Sequence, residues 1–364
     1  MKRGQVARLT KPNGSASEPE DVALEPEDAP LEPDVVSDRQ VSWLRRVLGL
    51  SGAGLLAVPW IGVLVGIVVL GVLFNSTSPC HCFMTSGNLL TTAQEFSYVG
   101  IGALGGAMVI MTKGIDLSVG SNISLSGLLA AAIMANGHGT ALGILAGLGV
   151  GIGVGLVNGF LVTVVGMQPF IATLGMLSVV GGAAVAYSQG FTLYPPQSFD
   201  SLGQGTILSV PNPVVVMIGL CIALTLFLRY TPLGRHIYAV GGNEDACRLL
   251  GIRVKRVKMF TYALAGLLGS VGGILLMSFL GSANPSQGLG DELNVIAAAV
   301  IGGVSLFGGQ GTLFGTLLGA TLVGEISDGL TLAQVPGYWT EMIVGCVILT
   351  AIGVDQLRRR LRRS

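Results

Sequence analysis

The twenty Lys and Arg residues of this chain occupy four places only: seven up to Arg46, Lys113 alone, seven from Arg229 to Lys258, and five from Arg358 to Arg363. The stretches between them, 47–112, 114–228 and 259–357, hold no base and are rich in Leu, Val, Ile, Ala and Gly. A soluble domain spreads charge over its surface, whereas cations confined to a few points between long apolar runs mark a chain built for lipid. Only 11% of the 364 residues are charged, 51% are hydrophobic and 56 are glycine, a mixture that suits close-packed membrane helices.

Lys and Arg collect on the cytoplasmic side of membrane proteins, so each base-free stretch must leave and return, crossing an even number of times. At about 20 residues per crossing, 47–112 holds two helices and the other two stretches hold four each, about ten in all with both termini cytoplasmic. The expected spans are 53–74, 95–112, 117–135, 140–165, 168–187, 212–228, 259–281, 292–306, 310–330 and 336–354. Several are short for a bilayer crossing and are expected to be bent, broken or re-entrant where protein surrounds them. The fold class is therefore an all-α, multi-pass integral membrane protein. The apolar run near residue 47 follows a long polar segment and continues into a span of ordinary length, so it is expected to stay as a helix and not to be a cleaved signal.

Residues 1–46 stand apart. "SEPEDVALEPEDAPLEPDVVSD" carries nine acidic residues between Glu18 and Asp38 and four prolines, with little to bury, and is expected to be a disordered cytoplasmic tail. The membrane domain then covers 47–357, with a cytoplasmic loop at 229–258, and a basic cytoplasmic segment follows at 358–364.

Catalytic groups do not assemble in this sequence. G-x-x-x-x-G-K-[ST] is absent, so no P-loop cradles a nucleotide, and His81, His138 and His236 fall in separate loops. No enzymatic role, bound cofactor or nucleic-acid partner is expected, and any ATP and Mg used must be held by another chain. Cys80 and Cys82 flank His81 in "PCHCF". A disulfide, a soft-metal site and plain thiols are all open to them, although a closed zinc site wants four ligands and only three are local; no metal site is assigned. Cys221 and Cys346 lie in apolar spans and read as packing residues.

Three local patterns carry more. Gly143, Gly147, Gly151, Gly155 and Gly159 recur every four residues, placing small residues along one helix face so that a neighbouring backbone can come close. Asn158 near the end of that ladder suits an interhelical hydrogen bond. In "RYTPLGRHIYAVGGNEDACRLLGIRVKRVKMF", residues 229–260, Asn243 stands as an N-cap before the acids Glu244 and Asp245, Arg248 comes later and Gly251 is the natural stop. A short cytoplasmic helix follows, placed to dock a soluble partner. In "KGIDLSVGSN", residues 113–122, Asp116 sits where an N-cap would, ahead of a helix whose polar side holds Ser118, Ser121, Asn122 and Ser124 to Ser126. A carboxylate costs about 2.5–3.5 kcal/mol at a bilayer centre, so it needs compensation. Capping, a structural role near a gate, and direct lining of a solute pathway are open to it.

"GIDLSVGS" (114–121), "QPFIATLG" (168–175), "GRHIYAVGGNEDACRLLGI" (234–252) and "ELNVIAAAVIGGVSLFGGQGT" (292–312) together resemble the permease subunits of bacterial ABC importers for monosaccharides, the group of ribose, xylose and arabinose permeases. The resemblance runs from about residue 53 onward, with motif order and spacing kept. Lys113 stands where a glycine is often found, Cys247 and Leu250 stand where Ala and Ser are common, and the acidic tail is longer than usual there. The resemblance implies the ABC importer permease fold in the bacterial inner membrane and a second permease copy enclosing a central path. It also implies two ATPase domains beneath and an extracytoplasmic sugar-binding protein above. Residues 234–252 match the coupling helix, with Gly242, Asn243, Glu244, Asp245, Ala246, Arg248 and Gly251 as ATPase-coupling positions. Asp116, Ser118, Ser121, Asn122, Gln168 and Phe170 are assigned to the pathway or its gate, and Gly147, Gly151, Gly155 and Asn158 to helix packing. Nucleosides or branched-chain amino acids are the alternative cargoes. An ion-coupled transporter would instead draw on Glu325, Asp328 and Glu341, for which no basic partner is present in those spans.

Overall fold

Long apolar runs punctuated by Pro, Gly and Ser-Pro breaks fold here into helices, and the backbone leaves the helical path mainly where glycine or proline lets it. The computed structural model describes residues 59–336, 339–340, 342–346, 349–350 and 353. In chain order the helices are α1 (Pro59–Thr77), α2 (Ser86–Glu95), α3 (Ser97–Met111), α4 (Val119–Ala135), α5 (Thr140–Phe160), α6 (Pro169–Ser188), α7 (Asp200–Gln204), α8 (Asn212–Tyr230), α9 (Pro232–Gly242), α10 (Glu244–Leu249), α11 (Val254–Leu280), α12 (Asp291–Ile301) and α13 (Leu313–Leu332). A π-helical turn, Leu161–Val165, extends α5. Strands β1 (Thr206–Ile207) and β2 (Val210–Pro211) form one small antiparallel hairpin.

Extended α5, α6, α8 and α11 are each long and apolar enough to cross a membrane, and α1, α3 and α4 are shorter apolar helices. The protein is thus a mostly helical integral membrane protein, as its cation placement implied. The acidic tail at 1–46 and the basic segment at 358–364 lie outside the described residues, as do parts of the span expected at 336–354.

Three expected spans differ in instructive ways. The one at 95–112 is a single helix, α3, that starts at Ser97, because Phe96, at φ −95° and ψ 1°, separates it from the additional helix α2. The one at 292–306 has only eleven helical residues. Beyond α12 the chain turns through Gly303, Gly308, Gly309 and Gly311, all at positive φ, where other residues are strained. The one at 259–281 starts earlier, at Val254, because Lys255, Arg256 and Lys258 continue the helix out of the apolar zone.

The shortness of α12 has a cause in the segment before it. After α11 ends at Gly281, Leu193 and Ala283 exchange backbone hydrogen bonds of 2.9 and 2.8 Å. The chain then dips along α4, where the Gly288 N–H donates to Ser124 Oγ at 2.8 Å. Thus α12 starts partway along the bundle, at Asp291, whose Oδ2 accepts from the Tyr98 hydroxyl at 2.9 Å. A re-entrant path of this kind is tolerated in membranes only where protein satisfies its backbone.

At the centre stands α3, buried at every position from Val99 to Met111, and it packs with α11 through Ile101, Leu104, Met108 and Leu268. Beside it, α5 and α11 meet backbone to backbone. A Cβ at Gly151 would strike the Ser270 side chain and the Gly266 carbonyl, and one at Gly155 would lie 2.8 Å from the Ala263 Cα. Gly147 faces α4 instead, with the Ser126 carbonyl 2.8 Å from its missing Cβ. The four-residue ladder is therefore a packing surface, as expected, and it serves two partners. Gly149 and Gly153, off the ladder, face open space.

Replacing Gly151 or Gly155 by Leu should lower the melting temperature of the detergent-solubilised protein or abolish its folded yield, since overpacking costs about 1–3 kcal/mol or more per site. Gly149→Leu should leave both near wild type. Equal effects at Gly149 and Gly151 would refute the packing role.

Candidate functional site

The basic loop folds into two short helices. Thr231 caps α9, its Oγ1 accepting from the Gly234 N–H at 3.0 Å, with Pro232 at the first helical position. Asn243 ends α9 and caps α10, its Oδ1 accepting from the Ala246 N–H at 3.0 Å. At the far end Gly251 takes φ +79°. The Ile252 N–H then reaches the Cys247 carbonyl at 2.9 Å and the Gly251 N–H the Arg248 carbonyl at 3.1 Å, the paired bonds of a Schellman stop. The expected N-cap, first-turn acids and glycine stop all stand in place; α9 is an additional helix.

Side-chain directions divide the coupling positions. Glu244 turns inward: it pairs with Lys258 of α11 and also meets Arg248 Nη2 at 3.3 Å. Asp245 stays exposed, with Arg248 Nη1 at 3.2 Å from its Oδ1. Cys247 is buried among Ile237, Val240, Val254 and Val257 and seats α10 on the core. Leu249 and Leu250, by contrast, are 89% and 80% exposed. Two adjacent solvent-facing leucines on a capped helix suit a partner's apolar pocket. These leucines and Lys258 are the residues sequence reading left out, and hydrophobic side chains in an otherwise polar loop were the available signal.

Behind this element the chain is tied down by backbone. The Gly309 N–H donates to the Met111 carbonyl at 2.9 Å, and Gly241 is so close to both that no side chain fits. Tyr238 donates its hydroxyl to the Gly311 carbonyl at 3.1 Å. Lys113 reaches the Gly242 carbonyl with Nζ at 3.3 Å, a cation at the C-terminus of α9, where the helix dipole favours it. Lys113 holds φ +61°, a left-handed conformation in which glycine is the natural occupant.

One level deeper lies a polar knot. Asp116 is 4% exposed. Its Oδ1 accepts from the Ser118 N–H at 2.9 Å, from Ser118 Oγ at 2.7 Å and from Asn158 Nδ2 at 3.3 Å. Asn158 also donates to Ser118 Oγ at 2.7 Å. Thr173 of α6 and Tyr262 of α11 donate to the Ile115 carbonyl at 3.2 and 3.3 Å. A loop between α3 and α4 is thus pinned to three other helices, and the carboxylate is compensated by donors, as a buried charge requires. The N-cap position of α4 belongs to Ser118, not to Asp116; the acid acts two residues earlier, across the turn.

The polar side of α4 also points inward. Asn122 Nδ2 donates to the Gly266 carbonyl at 2.8 Å, and Ser126 donates to Asn122 Oδ1 at 3.1 Å. Ser121 bonds the Ser118 carbonyl at 3.0 Å. Gln168 and Phe170 stand apart from this group, on an exposed face at the start of α6. Of the pathway candidates, then, Asp116 and Ser118 meet in the knot, Ser121 and Asn122 continue it along α4, and Gln168 and Phe170 face outward.

At the other end, Cys80 and Cys82 form a disulfide, and His81 Nδ1 lies 2.8 Å from the Asn75 carbonyl oxygen. Cys221 is buried, whereas Cys346 is exposed. Glu341 lies outside the described residues.

Residues 88–352 match the model of the branched-chain amino acid transport system / permease component family, and the chain belongs to that family. Among curated proteins it is 39% identical to the ribose import permease protein of Bacillus subtilis (strain 168) over 82% of this chain and 92% of that one. It is 40% identical to the ribose import permease protein of Escherichia coli (strain K12), over 81% and 93%. It is 35% identical to the fructose import permease protein of Rhizobium meliloti, over 84% and 86%. No solved structure matches the chain.

The knot makes a stability prediction. Asp116→Ala takes the acceptor from the Ser118 N–H and hydroxyl and one of two acceptors from Asn158, and should destabilise the solubilised protein by about 1–3 kcal/mol, read as a lowered thermal midpoint. Asp116→Asn keeps an acceptor oxygen and should lose less. A variant with Ala at 116 that melts at the wild-type temperature would show that the knot does not hold these helices.

Proposed function

We propose that this chain is the membrane-spanning subunit of an ATP-driven importer that moves a monosaccharide across a bacterial inner membrane by alternating access. The observation that carries the reading is the capped α9–α10 element, presented at the basic end with Leu249 and Leu250 uncovered. It is supported by relatives named for ribose and fructose import that cover most of the chain. About ten spans, with both termini cytoplasmic and two copies around a central path, complete the picture. Two ATPase domains dock beneath the coupling helices, and an extracytoplasmic binding protein delivers the sugar. The chain itself performs no covalent chemistry.

Motion has a defined route in this reading. The ATPase holds α10 by its leucines and by Asp245, while Glu244 and Lys258 lock α10 to α11. The junction of Gly241, Met111 and Gly309 passes displacement to α3 and to the glycine-rich turn after α12. Packed, interdigitated contacts shift as units, which suits a two-state carrier.

A second cargo class follows from the family description, which names branched-chain amino acids. Ligand screening of the partner binding protein separates the two: sugar binding supports the first reading, and leucine or isoleucine binding replaces it.

Changing Leu249 and Leu250 together to Asp should abolish co-purification of the ATPase and lower uptake by about tenfold or more, since it replaces apolar area with charges that an apolar pocket cannot pair. Membrane insertion should persist. Wild-type uptake by that variant would refute docking through α10.

A further inference from the structure

Far from the basic loop, α13 carries a carboxylate without a partner. Glu325 is 6% exposed, and its Oε2 accepts no hydrogen bond. It lies twelve residues beyond Leu313, about 18 Å along the helix at 1.5 Å per residue. The residue borders a half-open cavity of about 150 Å³, lined also by Thr92, Phe96, Met217 and Thr321. Asp328, one turn further on, is satisfied by contrast: it accepts from Asn88 Nδ2 at 2.7 Å and from Thr92 Oγ1 at 2.9 Å.

Two independent features converge on this cavity. The helix break at Phe96 opens onto it, and broken helices in membranes line cavities or solute sites. A buried acceptor oxygen without a donor is costly, so a group that brings donors to it is favoured. The described Lys and Arg residues are Lys113 and those in 229–258, so no base of this wall answers Glu325.

One carboxylate oxygen of Glu325 is left to accept a hydroxyl proton. The hydroxyls of Thr92 and Thr321 already donate to Asp328 and to the Leu317 carbonyl, and the rest of the wall, with Leu89, Ala93, Phe96, Met217 and Ala320, is apolar and suits the C–H face of a ring. A space of about 150 Å³ is on the scale of one small ring. A divalent cation wants about six oxygens, and among the described residues no three His, Cys, Asp or Glu side chains gather to hold a metal. An anionic solute would be repelled by Glu325 and Asp328.

We propose that Glu325 is the specificity-determining contact of a subsite within the membrane domain that receives a neutral, hydroxyl-rich monosaccharide. This rests on the importer reading above and locates the sugar contact on α13, away from the Asp116 knot.

The complete importer is expressed in cells that lack other routes for D-ribose, L-arabinose and D-fructose, and uptake of each radiolabelled sugar is measured. Wild type should take up at least one; transport of none refutes the importer reading. For the transported sugar, Glu325→Leu should reduce uptake about tenfold or more, the effect of leaving a desolvated substrate hydroxyl without its acceptor. Its amount in the membrane should match wild type by immunoblot. Glu325→Gln, which keeps an acceptor oxygen, should recover most of the rate. Wild-type uptake by Glu325→Leu overturns the subsite.

Thiol accessibility judges the subsite without reference to transport. In a Cys346→Ser background, Thr321→Cys should react with a membrane-impermeant thiol reagent, as a wall residue of a cavity that a sugar enters from water must. An inert thiol there overturns the proposal even if the importer reading stands.

Discussion

Backbone lying directly on backbone, with no side chain between, is the contact on which the rest of this structure depends. Inside a membrane the hydrophobic effect does not push helices together, so close packing and polar contacts must hold them. Gly151 and Gly155 let α5 reach the spine of α11, and Gly266 returns the approach from the other side. That closeness brings Asn158 of α5 within 2.7 Å of Ser118. It also leaves room for Asn122 to bond the Gly266 carbonyl at 2.8 Å. The polar knot around Asp116 follows from the glycine contact.

The same device recurs at the basic end. Gly241, Gly308 and Gly309 bring the end of α9, the end of α3 and the turn after α12 into one backbone junction. Lys113 adds a charge to the junction through the Gly242 carbonyl, in a left-handed conformation that its side-chain contact helps to hold. Two of the elements meeting there, α9 and α12, have eleven helical residues each, too few to cross a bilayer alone.

Much of this was legible in the amino-acid order. Cations mark one end because charge is excluded from lipid, and the periodic glycines of α5 mark a packing face because a four-residue repeat lies along one side of a helix. Asn243, Glu244, Asp245 and Gly251 announce α10 because caps and stops are local chemistry. What escaped was direction. Glu244 was placed toward a partner, yet it pairs with Lys258, fourteen residues on and across a turn that no local rule orients. Asp116 is open in the sequence to capping, a role near a gate or pathway lining; Ser118 holds the cap position, and the acid gathers donors from Ser118 and from Asn158 of α5.

The sequence by itself determined the membrane class, the basic end, the small-residue face of α5 and the capped helix of the basic loop, since each depends on spacing along one segment. Only the tertiary structure decided that α12 is short, that Gly241 rests on Met111 and Gly309, that Leu249 and Leu250 are left uncovered, and that Glu325 borders a cavity without a donor. Those facts depend on which segments meet. Contacts between residues a hundred or more positions apart are set by the packing of whole helices, and one helix's sequence does not carry its neighbour's address.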